Sequence, residues 1–189
     1  MKKFMQVLPL CVGWGLLMAS ANMRALGAVN GLVQRVLFTC VVCIPAWRTE
    51  RMSDVDIGWP WGLVGIGVVA LVMGQGDSLR VAMVSGLYIF MGVRMGIFAI
   101  KLWRVGAVQR ELPWYQYQNV RWERAGETNV PLARQVEVLS QGLANASYLS
   151  FSAFIIAAKP SPSISTVEFL VFGLAAAAFV FESVAYIQK

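Results

Sequence analysis

Long apolar runs alternate with short polar stretches, and this pattern predicts helices near residues 4–21, 26–47, 58–74, 79–103, 136–158 and 166–188. Each run is close to the roughly 20 residues that a helix needs to cross a bilayer. The third, "GWPWGLVGIGVVALVMG", carries glycines that invite close approach of another helix. "QGDS" reads as a tight turn after it, and "KPSPS" as a short loop before the last helix. The second run holds Asn30, Gln34 and Arg35 in its first half, so its latter part is the more lipid-like. Between Arg104 and about Gln135 the pattern turns polar, with arginines, two prolines and the cluster "WYQYQ", which reads as a polar loop over 104–135. The expected fold class is therefore all-α, a single polytopic helical membrane domain over 1–189 with about six transmembrane helices.

Composition agrees with this pattern. Hydrophobic residues make up 58% of the 189 positions and charged residues 14%, against about 25% charged in a soluble domain. The first residues, "MKKFMQVLPLCVGWGLLMASA", resemble a secretory signal, but the run from Phe4 is read as a retained first helix. Lysine and arginine favour the cytoplasm-equivalent side of a membrane. With six crossings, one side collects Lys2, Lys3, Arg48, Arg51, Arg104, Arg110, Arg121, Arg124, Arg134 and Lys189, and the other has Arg24, Arg35, Arg80 and Lys159. Both termini are thus expected on the matrix or cytoplasmic side. The net charge of +6 is assigned to membrane orientation, with no nucleic-acid partner expected.

Candidate chemistry is sparse. The chain has no histidine, which removes the commonest haem ligand and general base; no metal or cofactor is expected. Cys40 and Cys43 form a CxxC inside an apolar run, where nothing would stabilise a thiolate, so both read as ordinary buried thiols. Arg94 lies in the middle of "YIFMGVRMGIFAIKLW", and an arginine at that depth costs roughly 2.5–3.5 kcal/mol by insertion scales. The acids available to it are Glu182 in the last helix and Asp56 before the third, so one or both are expected to pair with it. The trio reads either as part of a substrate or cofactor pocket or as an intramembrane ion pair locking three helices together, and the second is preferred. Arg104, Arg110, Arg121 and Arg124 are candidates for holding anionic lipid headgroups such as cardiolipin.

Four stretches, in order, resemble membrane proteins of unknown function related to steroid 5-alpha-reductases, and more distantly isoprenylcysteine methyltransferases and sterol reductases. "SDVDIGW" resembles the family's Asp-x-x-Trp entry to a helix, and "GVRMGIFAIKLWR" its Trp-Gly-x-Arg helix, with Met91 where tryptophan is usual. "ELPWYQYQNVRWE" resembles a Tyr-containing basic stretch, and the last, from Glu182 to Lys189, a Glu-x-x-Ala-Asp-x-Gln-Lys motif with Tyr186 at the aspartate. The resemblance implies the front part of a reductase-like fold, cut before the motif that would hold a nicotinamide cofactor.

On that basis the expected function is a non-catalytic accessory subunit of a larger membrane complex, with other membrane subunits and lipids as partners. The expected host is an energy-converting complex, respiratory or ATP synthase, of the mitochondrial inner membrane, since extra subunits pack around the core of such assemblies. The alternatives are one half of a split NADPH-dependent steroid or lipid reductase, and a lipid-binding membrane protein.

Overall fold

The computed structural model describes residues 5, 7–160 and 163–187, and all the regular structure among them is helical. The expected helix limits at Phe4 and Gln188, with Lys2, Lys3 and Lys189, lie outside the described residues. Helix α1 is Leu8–Ala19, opened by Pro9, whose missing N–H is one of the first-turn donors that has no partner anyway. It is apolar but short of a membrane's width.

Helix α2 is one rod, Arg24–Thr49, with a π turn at Thr39–Cys43 inside it. Pro45 follows the turn and lacks an N–H, so the regular ladder cannot continue through it unchanged. In the π register Ile44 N–H donates to Thr39, and Gln135 reaches across to donate to the Cys43 carbonyl at 3.2 Å. Asn30 and Gln34 face inward rather than into lipid, and both are buried. Glu50, at φ 58°, stops the helix in a left-handed conformation.

Helices α3 (Val55–Met73) and α4 (Ser78–Arg104) form a tight antiparallel pair. Asp77 caps α4, its carboxylate accepting from the Leu79 and Arg80 N–H groups at 3.1 Å each. Glycine permits the close approach: a Cβ at Gly92 would stand 2.6 Å from the Pro60 carbonyl oxygen, and one at Gly67 2.9 Å from that of Ser85. Backbones in near contact are the usual way helices associate in lipid, where the hydrophobic effect gives no driving force.

The 104–135 segment is not a loop. It holds a 3-10 turn at Ala107–Gln109 and helix α5, Pro113–Arg124, and helix α6 (Val130–Ala146) already begins within it. Proline in the first turn starts both α5 and α6, and Asn129 caps α6 by accepting from Leu132 N–H at 3.0 Å. The predicted helix over 136–158 is also broken. At Ser147 (φ −118°, ψ −82°) the chain turns, and helix α7 follows as Tyr148–Ala157. After the Pro/Ser connection comes α8, Thr166–Ile187. Four helices among the described residues are long and apolar enough to cross a membrane: α2, α3, α4 and Thr166–Ala185 of α8. The chain is a helical membrane protein, and where about six transmembrane helices were expected its described residues form four helices of spanning length, the short α1 and the bent α6–α7 pair.

Amides hold the centre. Gln34 donates to Asn30 Oδ1 (3.0 Å) and to the Gly62 carbonyl (2.8 Å), while Asn145 donates to the Trp59 carbonyl and Asn30 to the Asn145 carbonyl, both at 3.2 Å. This ties α2, α3 and α6 together. Leu63, Ile66, Ala70, Ala153 and Phe154 pack beside it, and the Tyr88 hydroxyl joins α4 to α7 by donating to the Leu149 carbonyl at 2.7 Å.

Candidate functional site

Helices α3, α4, α5, α6 and α8 enclose a cavity of about 710 Å³ on the side where α4 ends. Its walls are mostly apolar, from Trp59, Phe98, Ala99 and Leu102 among others, and its polar groups come from five helices. The geometry of α4 accounts for Arg94: it stands one turn before Phe98, on the face that looks toward α8, and Glu182 projects from α8 to meet it.

Arg94 Nη2 lies 2.9 Å from Glu182 Oε1, with the two side chains 21% and 56% exposed. The Arg94 Nε is buried and has no hydrogen-bond partner. Asp56 lines the same cavity but makes no ion pair with Arg94. Its Oδ1 accepts from the Tyr115 hydroxyl at 2.8 Å. The expected trio is therefore two separate pairs in one cavity, and the correction comes from α5, whose Tyr115 reaches Asp56 first. Burial, followed by the Asp56 charge, pushes the Tyr115 phenol far above its usual value.

The wall that carries Tyr115 is anchored at the turn before α3. The Met52 N–H donates to Glu111 (3.1 and 3.0 Å to its two oxygens), the Ser53 hydroxyl donates to Glu111 Oε1 at 2.7 Å, and Leu112 N–H donates to Ser53 Oγ at 3.0 Å. Arg51 donates to the Gln109 carbonyl. Two stretches that are far apart in sequence, "SDVDIGW" and "ELPWYQYQNVRWE", thus meet to form one rim. Glu111, Ser53 and Tyr115 carry this rim; the resemblance singled out both stretches but gave these three residues no role.

Arg104, Arg110, Arg121 and Arg124 are exposed at the end of α4 and along α5, outside the cavity. On α5, Trp114 and Tyr117 share their face with Arg121 and Arg124, and both aromatics are exposed. The other membrane end holds a second charged cluster that the sequence reading left among its loop charges. Arg80 is fully buried. It pairs with Glu168 at 3.2 Å and donates to the Ser163 carbonyl at 2.7 Å, while Lys159 stands 2.7 Å from the same carboxylate. Glu168 also accepts from the Ser165 N–H (2.9 Å), and its own N–H donates back to Ser165 Oγ (3.2 Å), the reciprocal cap of a helix start.

The two cysteines are free thiols but not both buried as expected: Cys43 is half-buried, and Cys40 is exposed on the outer face of α2. Among the described residues no group of three or more His, Cys, Asp or Glu is arranged to hold a metal.

No curated protein and no solved structure matches the chain. Residues 43–189, from the end of the π turn through α8 and including every residue of the cavity wall, match the family described as "Protein of unknown function (DUF1295)", and the chain belongs to that family.

Proposed function

We propose that this membrane protein binds one uncharged amphipathic lipid in the cavity beside the Arg94–Glu182 pair. The observation that carries the reading is a cavity of ligand size, about 710 Å³, whose walls are mostly apolar and in which Arg94 is paired with Glu182 and Asp56 with Tyr115. Small-molecule sites commonly have this form, with few polar groups set in a largely apolar wall. An anionic head would have to compete with Glu182 for Arg94 while facing Asp56 and Glu137 as well. A hydroxyl or carbonyl head meets no such cost. It can accept from the unpartnered Arg94 Nε or donate to the Asp56 carboxylate, which Tyr115 holds in place. The resemblance to steroid 5-alpha-reductases supports the same class of ligand.

The test is to purify the protein in mild detergent and identify neutral lipids that remain bound by mass spectrometry. Ala99→Trp, which fills the cavity from its α4 wall, is expected to lower the retained lipid by about tenfold or more. Unchanged retention with a folded variant would overturn the proposal.

A second reading is an accessory subunit of a larger membrane complex, such as a respiratory or ATP synthase assembly of the mitochondrial inner membrane. It is supported by α8, no part of whose apolar window is buried. Its run "GLAAAAF" offers small side chains against which another helix can pack closely. Co-migration of the chain with energy-converting subunits on a native gel after gentle extraction is the expected result; migration alone at its own mass counts against it.

A further inference from the structure

A second groove, of about 390 Å³, lies between α4 and α8 at membrane depth. Every side chain lining it is apolar, with Met83, Gly86 and Phe90 on α4 facing Phe172, Ala176 and Phe179 on α8. The space at Gly86 is open, since a Cβ there would meet nothing within 4 Å. Gly86, Phe90 and Arg94 follow one another at four-residue steps, as neighbours on one helix face do. On α8 the matching series is Phe172, Ala176, Phe179 and Ser183, and Ser183 lines the main cavity. The groove therefore leads along the α4–α8 seam to the Arg94–Glu182 pair. Its α4 lining ends at Phe90, one turn before Arg94; from Met83 to Arg94 the seam is eleven helical steps long, about 16 Å at the rise of an α-helix.

We infer that this seam holds the hydrocarbon tail of the molecule whose head occupies the cavity. The ligand class is then a long single-chain amphiphile with a hydroxyl or carbonyl head, not a compact lipid confined to the cavity. The inference rests on the cavity reading above. Its lining stands one helical turn from the cavity's on both helices, Phe90 before Arg94 and Phe179 before Ser183, and this adjacency to a polar site, with a wholly apolar lining, selects the hydrocarbon chain of an amphiphile as the occupant. α8 makes entry from the membrane straightforward, because ion pairs near its two ends hold it beside α4 while its middle stays unburied.

The probe is hexadecanol with a photoreactive diazirine at the tail end, with octanol as its short homologue, applied to the full chain in lipid nanodiscs. Expected labelling falls around Gly86 to Phe90 and Phe172 to Ala176 and is abolished by excess unlabelled hexadecanol. Labelling of Val171 and Leu174, on the exposed side of α8, is not competed. Gly86→Phe, and as a second variant Ala176→Phe, should lower hexadecanol retention about tenfold or more and leave octanol retention unchanged. If folded variants keep hexadecanol, or if groove labelling cannot be competed, the seam is ordinary contact with the bilayer and the inference fails while the cavity reading stands on octanol. If wild type binds neither alcohol, the cavity reading fails and takes this inference with it.

Discussion

The bundle of α2, α3, α4, α6 and α7 and the outlying α8 are held by different physics. In the bundle, glycines bring backbones together, and the amides of Asn30, Gln34 and Asn145 bond to carbonyls on neighbouring helices. Its cohesion is spread over many contacts. Helix α8 buries no residue of its apolar window and is held by Glu168 near one end and Glu182 near the other. Two carboxylates and the packing of Phe172 against the core fix its position, and the cavity and the groove both lie along the side they clamp. The contrast suggests a rigid frame with one helix attached at discrete points, the side on which a ligand site in a membrane has to open.

The largest effect should come from the frame. Gly92→Leu drives a side chain into the Pro60 carbonyl and Val64 and should cost about 3 kcal/mol. It should show as a collapsed yield of folded protein and a lower melting temperature; a variant that melts like wild type would remove the close-packing account. Next comes the start of α8. Glu168→Gln withdraws the carboxylate shared by Arg80 and Lys159, and it should speed proteolysis in the 158–165 connection severalfold without changing core melting. Equal loss at both places would erase the distinction between frame and clamp. The smallest effect should be at the other end, where Arg94 and Glu182 are both partly exposed and such pairs contribute about 1 kcal/mol or less. In a cycle of Arg94→Ala, Glu182→Ala and the double variant, coupling makes the double no worse than either single. Additive losses would mean that the contact holds nothing.

The need of Arg94 for a carboxylate was legible in its sequence, because an apolar run leaves a charge no other remedy. That Asp56 turns to Tyr115 was not. It depends on α5, and α5 was hidden because helix patterns are sought as apolar periodicity, which a polar helix on the surface lacks. A local sign was present all the same: Leu-Pro at 112–113 and Asn-Val-Pro at 129–131 are helix starts. The bend at Ser147 left no sign, since apolar residues continue on both sides of it. The polar face of α2 was visible: Asn30 and Gln34 marked the first half of the run as the less lipid-like, and they are its contact with the interior.

The π turn in α2 sets the long-range register of that helix. Leu26, Asn30, Gln34, Phe38, Val42 and Ala46 are all buried, at steps of four residues. In an uninterrupted α-helix each such step overshoots a full turn by about 40°, and five of them would carry the series about 200° around the rod, onto the opposite side. One residue inserted by the wider turn takes back about half of that rotation, which is why Val42 and Ala46 still reach the interior. Deleting one residue between Thr39 and Cys43 would keep the composition of α2 nearly intact and still rotate its last two turns by about 100°, swinging the 50–54 connection, and the rim that Ser53 builds with Glu111, away from α5.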